Sequence, residues 1–142
     1  MLGDSSPPYT ITAEFRVTLF HKRGALAAAR ESDDVNPQKL SSASQFYIVQ
    51  GEKYTDSLLD SVEIKRLKRK IPEYQRAVYK NIGGCPFLDQ NYTVFGEVIT
   101  GMETIDRIAA ETTSKGQDMG RLLTDIRVLC GRLVKRRASG HY

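Results

Sequence analysis

The sequence has few of the residues on which metal sites and disulfide frameworks are built. It contains two cysteines, Cys85 and Cys130, and two histidines, His21 and His141. The cysteines form no CxxC motif, and both histidines lie far from them in the sequence, which argues against a zinc site. A disulfide between the cysteines stays open, although two free buried thiols in a reducing compartment is the simpler interpretation.

Long apolar runs are absent as well. No stretch of about 20 apolar residues occurs, so we predict no membrane span. The first ten residues, MLGDSSPPYT, lack the apolar segment of a signal peptide. The net charge is only +4, with 21 Lys and Arg against 17 Asp and Glu. Such a mild excess gives no reason to expect a nucleic-acid partner.

The 142 residues suit about one domain with a modest core, and four segments have the composition of strands. β-branched and aromatic residues predict strands at 44–50, 92–99 and 125–134. The small residues at 24–29 also fit a strand, at a place where sheets approach closely, although alanine favours helix as well. A short extended piece is expected at 9–12.

Helical periodicity is clearest between residues 55 and 82. Thr55 or Asp56 can cap the first helix, Pro72 should break or restart it, and the glycines at 83–84 end it. Downstream we expect a shorter helix whose apolar face is formed by Met102, Ile105, Ile108 and Ala109.

Two basic segments contain most of the excess positive charge. The run KRLKRK at 65–70 is best explained as the solvated side of the helical region, with a patch for acidic partners as the alternative. The segment 135–142 ends the chain as a basic tail, which we expect to lack fixed structure.

Three stretches, taken in their order along the chain, form a specific pattern. They are GALAAAR at 24–30, SASQFYIVQG at 42–51 and FLDQNYTVFGEVITGMETIDRI at 87–108. Together they resemble the cyclophilin family of peptidyl-prolyl cis-trans isomerases. The arginine after the alanines and the helical insert before FLD are similar to bacterial members. The resemblance covers nearly everything except the insert, at about 52–84, and the tail.

The resemblance implies a mainly β fold, a closed antiparallel β-barrel with capping helices and a groove on its outer surface. It also implies that the family's N-terminal part is missing, because Met1–Asp4 are similar to the end of its Met-x-Gln-Gly-Gly-Asp segment. The first strands, the first helix and the catalytic arginine of a Phe-His-Arg motif would then lie upstream of Met1. We therefore expect residues 1–134 to form an incomplete barrel with open edges, and we assign no catalytic residue within the chain.

Alternate residues of a strand share a face, so 44–49 has two different sides. By the resemblance, Phe46 and Ile48 would fill the barrel, whereas Gln45 and Tyr47 would face the groove. The alternative is a strand buried on both sides, with a satisfied glutamine. The resemblance assigns substrate binding to Ala29, Arg30, Gln45, Tyr47, Phe87, Leu88 and Tyr92.

These residues would have three different roles. An aromatic and aliphatic group would line the proline pocket or its rim, Gln45 would hydrogen-bond the substrate backbone, and Ala29 and Arg30 would border the next subsite, where main-chain groups pair with the peptide. The pocket-lining group consists of Tyr47, Phe87, Leu88 and Tyr92. Three of the four depart from the family pattern: Tyr47 replaces phenylalanine, Tyr92 a common histidine, and Phe87 a common tryptophan.

The resemblance and the missing arginine leave three functions open. The first is a prolyl isomerase that assists protein folding, the second is a truncated homologue that only binds proline-containing peptides, and the third is a non-functional fragment. Arg16, Arg23 or Arg30 could in principle replace the missing arginine.

No metal or other cofactor is implied. The expected partners are proline-containing peptides or unfolded protein segments, and cyclosporin-type ligands where the groove is complete. The default location is the cytoplasm, with a secreted or periplasmic one left open because the resemblance implies an incomplete N-terminus.

Overall fold

The computed structural model describes residues 7–115 and 120–135. The chain divides into two units, Met1–Ala109 and Ala110–Tyr142. The predictions made for Met1–Asp4 and for tail residues 136–142 lie outside the described residues. Within the described ranges, no helix has the length and apolar character that crossing a membrane requires.

The first unit contains two small antiparallel sheets. Strands β1 (Thr10–Ile11) and β3 (Ser41–Ser42) pair in one, and β2 (Ala25–Ala28) lies between β4 (Phe46–Ile48) and β5 (Val94–Glu97) in the other. The strands predicted at 24–29, 44–50 and 92–99 are therefore confirmed, and so is the extended piece at 9–12. The alanines of β2 suit the central position, because their small side chains let both neighbouring strands pack closely.

One face of the three-stranded sheet forms a small core. Ala25, Ala27, Val49 and Val94 are buried there, and Tyr47 packs against them. Ala27 stands opposite both Tyr47 and Val94 in the pairing register, so these side chains share the buried face. Phe46 points to the other face and is 62% exposed, whereas Ile48 is half-buried. The prediction that Phe46 fills the core is wrong.

The helical insert has the predicted break. Helix α1 (Asp56–Val62) begins where the Thr55 hydroxyl accepts the Leu58 N–H, and it continues as a π-helical turn, Glu63–Leu67. Helix α2 (Glu73–Asn81) starts after Pro72. The insert has its own core, formed by buried Leu59, Ile71 and Tyr79, with Phe20, Tyr54, Val62 and Leu67 packed around them.

A 3₁₀ turn, Pro86–Leu88, leads from the insert back to β5, and α3 (Met102–Ala110) follows β5. The predicted helix at 102–109 is thereby confirmed. No closed barrel forms among residues 7–115 and 120–135, and helical elements contain more of these residues than strands do. The antiparallel strand pairing agrees with the expected fold, whereas the description "mainly β" does not fit this part of the chain.

In the second unit, Thr113 and Leu122 form an isolated antiparallel bridge. The strand predicted at 125–134 does not form; Val128 is 90% exposed, and Cys130 is exposed rather than buried. Alternating apolar residues favour a strand only when a neighbouring strand accepts their backbone hydrogen bonds, and 125–134 pairs with none among the described residues.

Candidate functional site

Tyr47 occupies the centre of the candidate site. Strand β4 turns its ring toward the buried core, so that the side chain is half-buried, and its hydroxyl oxygen lies 3.0 Å from Nε2 of His21. His21 itself is fully buried just before β2. The hydroxyl that distinguishes Tyr47 from the usual phenylalanine therefore has a hydrogen-bonding partner inside the protein.

Asp89 lies behind His21 and is only 2% exposed. Its Oδ1 is 2.9 Å from both the backbone nitrogen and Nδ1 of His21, and its Oδ2 accepts the hydroxyl of Tyr79 at 2.6 Å. A buried carboxylate is costly unless hydrogen bonds compensate for its lost hydration. Three donors from two other parts of the chain supply that compensation here. We call Tyr79, Asp89, His21 and Tyr47 the buried network.

When the His21 ring is neutral, the hydrogen bonds of the network have only one direction. A carboxylate only accepts, so the proton of a neutral His21 ring belongs on Nδ1, and Nε2 accepts the hydroxyl of Tyr47. Burial, the largest cause, together with the neighbouring Tyr92 and other groups, raises the pKa of Tyr47, so its hydroxyl stays protonated at neutral pH. Tyr47 therefore directs its proton inward and offers a fixed aromatic ring to the site.

Tyr92 completes an aromatic cluster beside the network. Its ring meets that of Tyr47 edge to face, with 5.9 Å between centroids, and the ring of His21 at 6.4 Å. The guanidinium carbon of Arg30 lies 4.7 Å from the centre of the Tyr92 ring, in a cation–π arrangement. Tyr47, Tyr92 and Arg30 are thus three predicted site residues that the fold brings into contact.

Arg30 is held firmly in this position. Its Nε donates to the Asn91 carbonyl at 2.8 Å, its Nη2 lies 2.7 Å from Asp33, and its side chain is only 6% exposed. Arg23 is likewise held, by Asp106 and by the Gln50 carbonyl. Because both guanidinium groups are paired within the protein, neither arginine is free to donate to a bound peptide.

Arg16 differs from these two arginines. It is exposed and lies 3.8 Å from the equally exposed Glu14, and an ion pair between two exposed side chains holds it only weakly.

Gln45 and Ala29 lie where β4 and β2 approach β3. The Ala29 N–H donates to the Gln45 carbonyl at 2.9 Å, and the Ala29 carbonyl accepts the Ser42 N–H at 2.8 Å. A peptide strand added here would therefore need main-chain groups other than the N–H of Ala29. Gln45 is exposed, and together with Arg30 it lines an open cavity of about 470 Å³.

Phe87 and Leu88 belong to the 3₁₀ turn immediately before Asp89. Pro86 and Asp89 are buried and anchor the turn, whereas Phe87 is exposed and Leu88 half-buried. The turn places both residues next to the buried network in sequence. Their assignment to the proline pocket stays a prediction.

Three residues of the network, His21, Asp89 and Tyr79, were not predicted from the sequence. The only signal there was a histidine next to the apolar residues Leu19 and Phe20 and an aspartate inside the FLDQN segment. Because 68 positions separate these two residues, no local pattern could pair them.

Comparison with known proteins gives a consistent result. Residues 2–131 match the family model described as "Cyclophilin type peptidyl-prolyl cis-trans isomerase/CLD". Proteins named "Putative peptidyl-prolyl cis-trans isomerase" are similar over 109 residues: 32% identical in Staphylococcus haemolyticus JCSC1435, 33% in Staphylococcus aureus USA300 and 35% in Staphylococcus saprophyticus ATCC 15305. These matches cover 77% of this chain and 50% of each relative, so the chain spans about half the length of the curated relatives it matches.

Proposed function

Because the chain belongs to the cyclophilin-type peptidyl-prolyl cis-trans isomerase family, we propose that it acts on proline-containing segments of proteins. The proposed reaction is rotation about the X–Pro peptide bond, which assists protein folding. The proposal is carried by one observation, the Tyr47 ring held in place by buried His21 and flanked by Tyr92.

The reaction makes a physical rather than a covalent demand on the site. Rotation about a peptide bond costs about 18–20 kcal/mol because amide resonance is lost midway. For X–Pro bonds the cis and trans forms are close in energy, so the barrier alone limits the rate. The protein must bind the twisted amide better than either planar form, and each tenfold acceleration needs about 1.4 kcal/mol of that preference.

A fixed aromatic surface suits the first part of this task, which is to hold the proline ring. Tyr47 cannot turn its hydroxyl away without breaking the bond to His21, and Tyr92 supports its ring edge-on. A rigid surface loses little entropy when a ligand binds. Gln45 and Arg30 line one open cavity, and in this proposal they contact the peptide next to the proline.

Binding without catalysis is the second candidate function, and two of the three candidate arginines, Arg23 and Arg30, favour it. Bond rotation is eased by a donor to the imide nitrogen, whose lone pair becomes free as resonance is lost. Arg23 and Arg30 are both committed to acceptors within the protein. In this second proposal the aromatic surface holds the proline, while neither Arg23 nor Arg30 is available as the donor.

One experiment distinguishes the two functions. A short Ala-Pro peptide is titrated into the full chain, and its cis–trans exchange is followed by NMR exchange spectroscopy. Saturable binding with faster exchange supports the enzyme, and saturable binding with unchanged exchange supports the binding module. A chain that melts cooperatively yet does not bind the peptide contradicts both.

A point substitution locates the binding surface. Gln45→Ala should weaken peptide affinity about three- to tenfold, the loss of about one net hydrogen bond, and leave the melting temperature nearly unchanged because Gln45 is exposed. Ser44→Ala, at the neighbouring exposed position, is the matched control. If Gln45→Ala unfolds the chain, or binds the peptide as the control does, the assignment of Gln45 to the groove is wrong.

A further inference from the structure

We propose that Tyr79, in helix α2 of the insert, is a positioning residue for the candidate proline pocket, because its hydroxyl orients Tyr47 through Asp89 and His21. This inference rests on the proposed function and extends it to a part of the chain outside the three motifs of the resemblance. The insert would then influence the position of the Tyr47 ring through buried side chains.

The contacts form an unbroken path between the two tyrosines. Tyr79 donates to Asp89 Oδ2 at 2.6 Å, Asp89 Oδ1 lies 2.9 Å from His21 Nδ1, and His21 Nε2 lies 3.0 Å from the Tyr47 hydroxyl. The first three residues are almost completely buried, so water is not a ready substitute for any partner. Tyr47, half-buried at the outer end, is the member that belongs to the candidate site.

The Tyr79 hydroxyl has a role separate from that of the ring. The ring packs in the insert core, edge-on to Phe20 at 5.5 Å and to Tyr54 at 6.2 Å between centroids. A phenylalanine would fill the same space. Only the hydroxyl reaches the carboxylate of Asp89, and burial raises its pKa so that it stays a donor. Without it, Oδ2 of a buried carboxylate would lose its donor.

The backbone lets the insert come this close. Gly84 follows α2 with a φ of +154°, and a Cβ there would collide with the His21 carbonyl and the Tyr79 ring. The next residue, Cys85, donates its N–H to the His21 carbonyl at 2.8 Å. The end of the insert is therefore fastened beside His21 by main-chain bonds as well, and the test must remove the hydroxyl alone.

The orienting effect follows from the direction of the bonds. With Tyr79 and the His21 N–H both donating, the Asp89 carboxylate has one fixed orientation, which keeps the proton of His21 on Nδ1. Nε2 then has to accept from Tyr47. If the Tyr79 bond is lost, Asp89 is held through Oδ1 alone, by the backbone N–H and Nδ1 of His21, so the carboxylate plane can tilt, the contact with Nδ1 changes, and the Tyr47 ring is held less firmly.

The test compares Tyr79→Phe with Tyr54→Phe in the full chain. Tyr54 is a partly buried tyrosine of the same insert core, and its hydroxyl is not a member of the buried network. The first readout is the ¹⁵N NMR signal of the His21 ring in the free protein, with His141→Gln used to remove the second histidine signal. The second is the affinity for the Ala-Pro peptide.

We expect Tyr79→Phe to change the Nδ1 and Nε2 signals of His21 and to weaken peptide binding about three- to tenfold. Tyr54→Phe should do neither. A merely structural role of the Tyr79 hydroxyl would lower the melting temperature of Tyr79→Phe while leaving the His21 signals and the peptide affinity unchanged. Unchanged His21 signals in a folded Tyr79→Phe variant would overturn the inference.

A double-mutant cycle with Tyr47→Phe tests the path itself. If Tyr79 acts through the Tyr47 hydroxyl, Tyr79→Phe should weaken peptide binding less in the Tyr47→Phe background than in the parent chain. Additive effects would contradict the path. If Tyr79→Phe does not fold, the Tyr47→Phe variant is used instead, because it removes the hydroxyl that contacts His21 Nε2. An unchanged Nε2 signal in that variant would refute the hydrogen-bonded path.

Failure of the proposed function gives a different result. If the parent chain binds no proline peptide while the His21 signals still respond to Tyr79→Phe and not to Tyr54→Phe, the link from Tyr79 to His21 stands and the assigned ligand is wrong. If the peptide binds and the His21 signals do not respond, the proposed function stands and the link is wrong.

Discussion

Replacing Glu63 by glutamine tests how the insert is held together. Glu63 is buried at the start of the π-helical turn, where its Oε1 accepts the Ile71 N–H at 2.9 Å and Arg76 Nη1 at 2.8 Å. Lys70 lies 2.8 Å from its other oxygen. One carboxylate thus joins α1, the connecting segment and α2, and we expect its charge to stabilise the insert.

The magnitude follows from the pKa of Glu63. The hydrogen bond from Lys70, with those from Ile71 and Arg76, outweighs desolvation and lowers this pKa from 4.5 to about 2. At about 1.4 kcal/mol per pKa unit, the full effect would be about 3 kcal/mol. Lys70 is 87% exposed, however, and solvent screens its contribution, so we expect about 1–2 kcal/mol. Because the pKa is depressed in the folded state, this stability is present above about pH 4.5 and is lost as the pH falls toward 2.

The assay is urea unfolding of the parent and Glu63→Gln chains at pH 7 and at pH 3. The variant should be less stable by about 1–2 kcal/mol at pH 7, and the difference should shrink at pH 3, where the parent carboxylate begins to protonate. Asp60→Asn is the matched control, since Asp60 also pairs with Arg76 but is exposed; it should cost about 0–1 kcal/mol. A Glu63→Gln difference that is the same at both pH values would refute the argument.

Two further predictions concern the surroundings of His21. Asp89→Asn should destabilise the chain by about 2–4 kcal/mol, because the new amide group presents a donor to groups that already donate; urea unfolding measures this, with exposed Asp34→Asn as the control. Gly84→Ala should lower the melting temperature by more than Gly101→Ala. Both positions have positive φ, but a Cβ meets backbone atoms only at Gly84. Equal shifts at the two glycines would contradict the close approach.

Local patterns were sufficient to predict the elements whose determinants are local. The proline at position 72 precedes the start of α2, although the first helical segment already ends at Leu67, where Lys68 is left-handed. The β-branched and aromatic residues of 44–50 and 92–99 favour strands. The segment 125–134 has the same alternation and forms no strand. The difference lies in pairing, since β4 and β5 both hydrogen-bond to β2, whereas a strand at 125–134 would need a neighbour that its sequence does not specify.

The two faces of β4 show a second limit of prediction from sequence. Alternation correctly puts Phe46 and Tyr47 on opposite faces of the strand, but it does not tell which face is buried. That choice is made by Ala27, which stands opposite Tyr47 and belongs to the buried cluster. The tyrosine, despite its hydroxyl, is the residue that packs inward.

The Tyr47 hydroxyl connects these observations. Compared with the phenylalanine of the family pattern, it is a polar group added beside the buried apolar cluster of β2, β4 and β5, and such a group is costly when buried without a partner. Its partner is His21, whose Nε2 can accept because the ring proton lies on Nδ1, which donates to Asp89, and Asp89 in turn accepts the Tyr79 hydroxyl. The departure at Tyr47 and the hydroxyl of Tyr79 in the insert are therefore the two ends of a single hydrogen-bonded path. Changing Tyr47 to phenylalanine would remove the hydroxyl at one end of this path. Removing the Tyr79 hydroxyl at the other end should then have a smaller effect on peptide affinity.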